Sequence, residues 1–143
     1  MTAMLRQFTG VAISGRAMLI TGATGIGKSS LALALIDRGA RLVGDDGVAL
    51  EMREGVLYAS PAPATRGLME VRGVGIVPMP VAEQVPVALI VRLSTDGPRY
   101  VEDSPHEAVL GTSLPVITLW PDASVLPLRA ELALSRHGLT FPT

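Results

Sequence analysis

The chain has 143 residues, 48% of them hydrophobic, with a net charge of −1 and no cysteine. This length suits one domain over residues 1–143, the charge gives no electrostatic footprint for nucleic acid, and the lack of cysteine excludes disulfides and thiolate metal sites. No run of 18 apolar residues occurs, and residues 1–7 are too short and polar for a secretory signal, so we expect a cytoplasmic protein with no membrane span.

The sequence predicts seven strands and two helices. A hairpin is expected first, followed by a helix from Lys28 to about Arg38, which Gly39 can end in the left-handed conformation. Pro115 predicts an edge strand near the C-terminus, because proline cannot donate to a β-ladder, and a last helix should close at Gly138. The predicted strands are residues 10–13, 17–20, 41–44, 48–52, 56–59, 87–91 and 114–119, and the last helix is residues 128–136. This order indicates an α/β fold with a mixed sheet.

A complete Walker A motif lies between the second predicted strand and the first helix. Its glycines let backbone N–H groups close around phosphate oxygens, and the helix N-terminus adds positive dipole. Lys28 can reach the β- and γ-phosphates, and the Ser29 hydroxyl can bind Mg²⁺. The motif consists of Gly22, Ala23, Thr24, Gly25, Ile26, Gly27, Lys28 and Ser29. We therefore predict a P-loop NTPase-like domain that binds ATP and Mg²⁺.

Two adjacent carboxylates, Asp45 and Asp46, follow the strand after the first helix. The end of a strand beside a phosphate loop is where a Mg²⁺ ligand or a general base belongs. A simple hairpin turn is the alternative, since Asp-Asp-Gly also begins turns. Asp96 also ends an apolar strand and competes for the same role, although Ser94-Thr95-Asp96-Gly97-Pro98 is a strong turn signature.

Four other residues have weaker local signals. Glu70 and Arg72 alternate with apolar residues, which alone fits the solvated face of a strand. His106 follows a proline in a polar stretch and His137 ends a helix, so neither is assigned a role.

Three sequence blocks resemble the bacterial HPr kinase/phosphorylase family. The Walker A loop is followed by Ile36-Asp37-Arg38-Gly39, then by Leu42-Val43-Gly44-Asp45-Asp46, and later by Glu70-Val71-Arg72-Gly73-Val74-Gly75-Ile76. The family has these blocks in the same order and at similar spacing. The resemblance covers residues 10–77 well and looks like the short form, with the catalytic domain alone.

The resemblance implies a kinase, usually hexameric, that phosphorylates a serine of the phosphocarrier protein HPr with ATP and reverses this with inorganic phosphate to give pyrophosphate. By position, Lys28 and the loop would hold phosphates, and Ser29 and Glu70 would bind Mg²⁺. Asp46, beside Asp45, would be the base toward the serine hydroxyl. Arg72 lies in a segment that the family uses for both activities.

Two departures from the family pattern concern positive charge. Thr9 stands where the family has a histidine, and residues 120–127 lack the arginines of the family's loop, with only Arg99 and Arg129 nearby. Positioned charge stabilises phosphoryl transfer, so we expect a slow enzyme whose kinase activity survives better than its phosphorylase activity. A nucleotide-binding regulator without turnover is the alternative. A small-molecule kinase is a third, although no arginine-bearing lid insert is visible.

Overall fold

The computed structural model describes residues 3–122 and 124–142. In these residues the structure has eleven strands, two α-helices and one turn of 3₁₀-helix at Pro63–Thr65. The elements are β1 (Met4–Arg6), β2 (Thr9–Ile13), β3 (Arg16–Gly22), α1 (Lys28–Asp37), β4 (Arg41–Gly44), β5 (Val48–Arg53), β6 (Val56–Pro61), β7 (Leu68–Val71), β8 (Gly75–Pro78), β9 (Val85–Leu93), β10 (His106–Val109), β11 (Thr112–Leu119) and α2 (Leu126–His137).

Nine strands form one mixed sheet in the order β1-β5-β6-β9-β3-β2-β4, with β11 beside β9 and β10 beside β11. The β3–β9 and β9–β11 pairs are parallel, whereas β2 runs antiparallel to both β3 and β4. β7 and β8 form a separate antiparallel hairpin. The prediction of an α/β fold with a mixed sheet is therefore confirmed.

The central strand β3 separates two hydrophobic cores. Met18 and Ile20 contact the first core, and Ala17 and Leu19 contact the second, as strand alternation requires. All four side chains are fully buried, which gives the continuous apolar run expected of a strand covered on both faces.

The two cores differ in what covers them. Both helices pack on the first, where α1 contributes Leu31 and Leu35 and α2 contributes Ala130 and Leu134. The second core is built from strand residues, including those of β5 and β6, so the sheet curls over its own face.

The C-terminal strands differ from the sequence prediction. β11 is not an edge strand, because β9 pairs with it from Val116 to Leu119 and β10 pairs with it from Thr112 to Pro115. Pro115 is tolerated because it lies where the partner changes. His106, predicted in a loop, begins the exposed strand β10.

No helix in the described part of the chain is long and apolar enough to cross a membrane.

Candidate active site

The phosphate loop occupies the connection from β3 to α1, as the sequence predicts. Gly22, Gly25 and Gly27 have φ values of 150°, 81° and 112°, a region that favours glycine. A Cβ on Gly22 would also approach the Leu93 carbonyl oxygen to 2.9 Å. Gly27 precedes α1, whose first hydrogen bond runs from the Leu31 N–H to the Gly27 carbonyl oxygen. The N–H groups of the first turn therefore have no partner within the helix and can serve an anion.

The Lys28 ammonium group lies at the beginning of this loop. Its Nζ donates to the carbonyl oxygens of Gly22 at 2.7 Å and Ala23 at 3.1 Å. An ammonium group has three donors. The third donor remains for a phosphate oxygen.

A line of hydrogen bonds joins the loop to the turn that carries the two aspartates. Ser29 Oγ donates to Asp45 Oδ1 at 2.6 Å. Thr9 Oγ1 makes a longer contact of 3.5 Å with the same carboxylate oxygen and accepts a hydrogen bond from the Asp46 N–H at 3.1 Å. These contacts distinguish the two acidic residues, because only the Asp45 side chain is hydrogen-bonded to the phosphate loop.

The aspartate turn has an unusual backbone. Asp46 has a φ of 57°, which aspartate tolerates better than most residues and which costs on the order of 1–3 kcal/mol. Gly44 admits no side chain, because a Cβ there would overlap the Gly47 carbonyl oxygen. The pairing of β2 with β4 is also irregular between Gly10 and Val11. The surrounding strands therefore hold the aspartate turn in a backbone conformation that is locally unfavourable.

A cleft of about 520 Å³ brings the predicted residues together. The loop and α1 form one wall, the aspartate turn forms the floor, and the β7–β8 hairpin forms the other wall with Glu70 and Arg72, both exposed. Its lining residues are Thr9, Thr24, Gly25, Gly27, Lys28, Ser29, Ser30, Leu33, Asp45, Asp46, Met69, Glu70, Val71 and Arg72. Of the predicted loop residues, Gly22, Ala23 and Ile26 complete the loop without lining the cleft.

The oxygen donors in the cleft fit a magnesium ion held jointly with phosphates. The described residues contain no group of three histidine or acidic side chains that could hold a metal. Magnesium usually takes one or two carboxylates together with substrate phosphates. Ser29 Oγ and the Asp45 carboxylate, in direct contact, are such a donor pair.

The competing candidates lie outside this cleft. Asp96 is exposed in the turn after β9, where its N–H donates to Ser94 Oγ, as the turn signature predicts. Arg129 lies 3.8 Å from Asp122 at the beginning of α2. The Asp122 carboxylate accepts hydrogen bonds from the N–H and the hydroxyl of Ser124. These bonds lower the pKa of the Asp122 carboxyl, and the backbone N–H has the larger effect.

Sequence reasoning did not identify the structural contribution of Thr9. The residue was interpreted only as a lost histidine, whereas its hydroxyl contacts both residues of the aspartate pair. The one available signal is that a hydroxyl residue begins an otherwise apolar strand.

The family model described as HPr Serine kinase C-terminal domain matches residues 4–96. The HPr kinase/phosphorylase of Chloroherpeton thalassium is 34% identical over 140 residues, which cover 87% of this chain and 41% of that protein. That of Clostridium novyi is 51% identical over 70 residues, which cover 49% of this chain and 23% of that protein. The chain thus spans less than half the length of these curated relatives.

A solved structure, the Hpr(Ser) kinase/phosphatase from Coxiella burnetii, has the same fold. It superimposes with a TM-score of 0.84 at 30% sequence identity, and the match covers 94% of this chain and 90% of that chain.

Proposed function

The chain belongs to the HPr serine kinase C-terminal domain family, and we propose that it transfers the γ-phosphoryl group of ATP to a serine of an HPr-like phosphocarrier protein. The observation that carries the proposal is the cleft in which a phosphate loop, a carboxylate bonded to that loop and a second carboxylate face one another. Family membership supports nucleotide- and metal-dependent kinase chemistry, and the donor set supports ATP with Mg²⁺.

We propose that the loop residues, Gly22 to Ser29, hold the phosphates through backbone N–H groups at the beginning of α1. Lys28 contributes a point charge to the β- and γ-phosphates. Ser29 and Asp45 hold Mg²⁺, which when bound neutralises phosphate charge. Because the Ser29 hydroxyl already contacts the Asp45 carboxylate, these two oxygens require little rearrangement.

Asp46 is the proposed general base. It accepts the proton of the substrate serine as the serine oxygen forms a bond to the γ-phosphorus and the bond from phosphorus to the leaving ADP oxygen breaks. In the reverse reaction, inorganic phosphate attacks the phosphoserine, pyrophosphate forms, and Asp46 returns the proton to the serine oxygen. Asp46 suits this role because it borders the cleft.

Glu70 and Arg72 act from the opposite wall in this proposal. Glu70 is an additional acidic partner for the metal, and Arg72 offers positive charge to the transferred phosphoryl group. Both side chains are exposed on the β7–β8 hairpin and border the cleft, so an incoming protein substrate can contact them.

We further propose that residues 1–143 form one kinase domain, that the protein is a homo-oligomer, hexameric by family resemblance, and that it acts in the cytoplasm, where ATP is available. Val74 and Ile76, 73% and 62% exposed on the hairpin, support association with another protein surface. The near-neutral charge supports a protein substrate rather than nucleic acid or an anionic membrane surface.

A regulator that binds nucleotide without turnover is the second candidate. Thr9 favours it, because the family position holds a histidine, and so does the lack of arginine in residues 120–127. If the protein is a kinase, its phosphorylase activity should be weaker than its kinase activity; if it is a regulator, neither activity is expected.

The deciding experiment incubates the protein with labelled ATP, Mg²⁺ and HPr-like proteins and measures phosphoserine. Wild-type protein should transfer phosphate, and Lys28→Ala should abolish transfer, because the γ-phosphate loses its point charge. ATP binding without transfer to any HPr-like protein would instead favour the regulator. Formation of pyrophosphate from phosphorylated carrier and added inorganic phosphate, at a rate equal to the kinase rate, would contradict the expected weakness of the phosphorylase activity.

A further inference from the structure

The hydroxyl group of Thr9 is buried at the floor of the cleft. Thr9 is 1% exposed, and it is the only polar residue among the described ones that is fully buried. A buried hydroxyl is unfavourable unless it is hydrogen-bonded, and valine has nearly the same shape without that cost. A threonine at this position therefore needs a compensating interaction.

The hydrogen bonds of Thr9 supply that interaction. Its Oγ1 accepts a hydrogen bond from the Asp46 N–H at 3.1 Å. As a donor, the same hydroxyl makes only a long contact, 3.5 Å from Oγ1 to Asp45 Oδ1. The first of these bonds holds the peptide that gives Asp46 its left-handed conformation. The second contact and the Ser29 bond converge on the same Asp45 oxygen.

We propose that Thr9 is a positioning residue. Its hydroxyl holds the aspartate turn so that Asp46 stays in the cleft that the phosphate loop also lines. This role rests on the proposed function, since it acts through the proposed base. Hydrogen bonds link three segments here: Thr9 in strand β2 contacts both aspartates of the β4–β5 turn, and Ser29 in α1 bonds to the same Asp45 oxygen as Thr9. Thr9 therefore has a structural role in this chain, beyond replacing the histidine that the family has at this position.

Thr9→Val removes the hydroxyl and keeps the shape, and Thr9→Ser keeps the hydroxyl. The kcat for serine phosphorylation should fall about tenfold in Thr9→Val and stay within about threefold in Thr9→Ser, because the first variant leaves the Asp46 N–H without its acceptor. The Kd for nucleotide should change less than about twofold in both. Thr118→Val, the same change at a residue of β11 that does not line the cleft, is the matched control and should leave kcat unchanged.

Hydrogen exchange measured by NMR tests the same bond without relying on activity. The Asp46 amide should exchange about tenfold faster in Thr9→Val than in wild type and at the wild-type rate in Thr9→Ser, whereas the Ile20 amide on the neighbouring strand should be unaffected. If Thr9→Val does not fold, Thr9→Ala against Thr9→Ser isolates the hydroxyl in the same way.

The kinase assay and the hydrogen-exchange measurement distinguish a failure of the proposed function from a failure of the proposed role of Thr9. A wild-type protein with no transfer but with the expected exchange pattern would overturn the proposed function and leave the Thr9 bond standing. Equal Asp46 exchange in wild type and Thr9→Val, or equal loss of kcat in the valine and serine variants, would overturn the positioning role.

Discussion

The hydrogen bond between Ser29 and Asp45 offers the sharpest test of the metal site. Its O–O distance of 2.6 Å lies in the range of charge-assisted hydrogen bonds, which contribute about 1.5–3 kcal/mol. Ser29→Ala removes both this bond and a proposed metal ligand. The affinity for ATP in the presence of Mg²⁺ should therefore fall about 10- to 100-fold, and the affinity without Mg²⁺ should change less than about threefold.

Asp45→Asn should show the same dependence on Mg²⁺, because the two oxygens are proposed to serve one ion. The double variant should be little worse than either single variant, with a coupling energy of about 1–3 kcal/mol. Nucleotide titration at constant ionic strength measures the affinity of the wild type, the two single variants and the double variant, each with and without Mg²⁺. Ser135→Ala, a serine exposed on α2, is the matched control. Additive losses in the double variant, or equal losses with and without Mg²⁺, would refute the shared site.

Three further substitutions test other parts of the cleft. Asp46→Asn should lower serine phosphorylation by about 10²- to 10⁴-fold with ATP binding retained, and an active Asp46→Asn beside an inactive Asp45→Asn would reverse the assignment within the pair. Glu70→Gln should raise the Mg²⁺ concentration needed for activity while the free energy of unfolding changes by less than about 0.5 kcal/mol, since the side chain is exposed. Gly44→Ala should destabilise the fold by about 1–3 kcal/mol in chemical denaturation, whereas Gly47→Ala, whose Cβ would lie 3.8 Å from Ala62, should be tolerated; equal effects would show that the turn is not tightly packed.

The phosphate loop could be predicted from sequence because local physics alone determines it. The three glycines of the loop adopt positive φ, which glycine does at little cost, and the apolar runs on either side indicate the flanking strand and helix. The predicted strands at 41–44 and 48–52 were also found, since the glycine-rich turns around them are local signals.

Elements that depend on distant partners could not be predicted. β1 and β10 are short and largely exposed, so they lack the apolar alternation that marks a strand. β11 was wrongly predicted at an edge, because Pro115 shows that one N–H is missing but not that two different strands share the remaining length. The sequence alone also could not show which aspartate contacts the phosphate loop. Asp45 and Asp46 are chemically identical neighbours, and only the contacts of Ser29 and Thr9 distinguish them.

The charges of the cleft are left available for a ligand. The four ion pairs found among the described residues join exposed or half-buried side chains that do not line the cleft, and such surface pairs contribute little to stability. Asp45 is instead held by hydroxyl groups and Asp46 by a hydroxyl at its N–H. An arginine paired with either carboxylate would compete with a metal ion or with a substrate proton. Neutral partners avoid that competition, so the turn is fixed in place by hydrogen bonds that leave both carboxylates without a salt-bridge partner among the described residues.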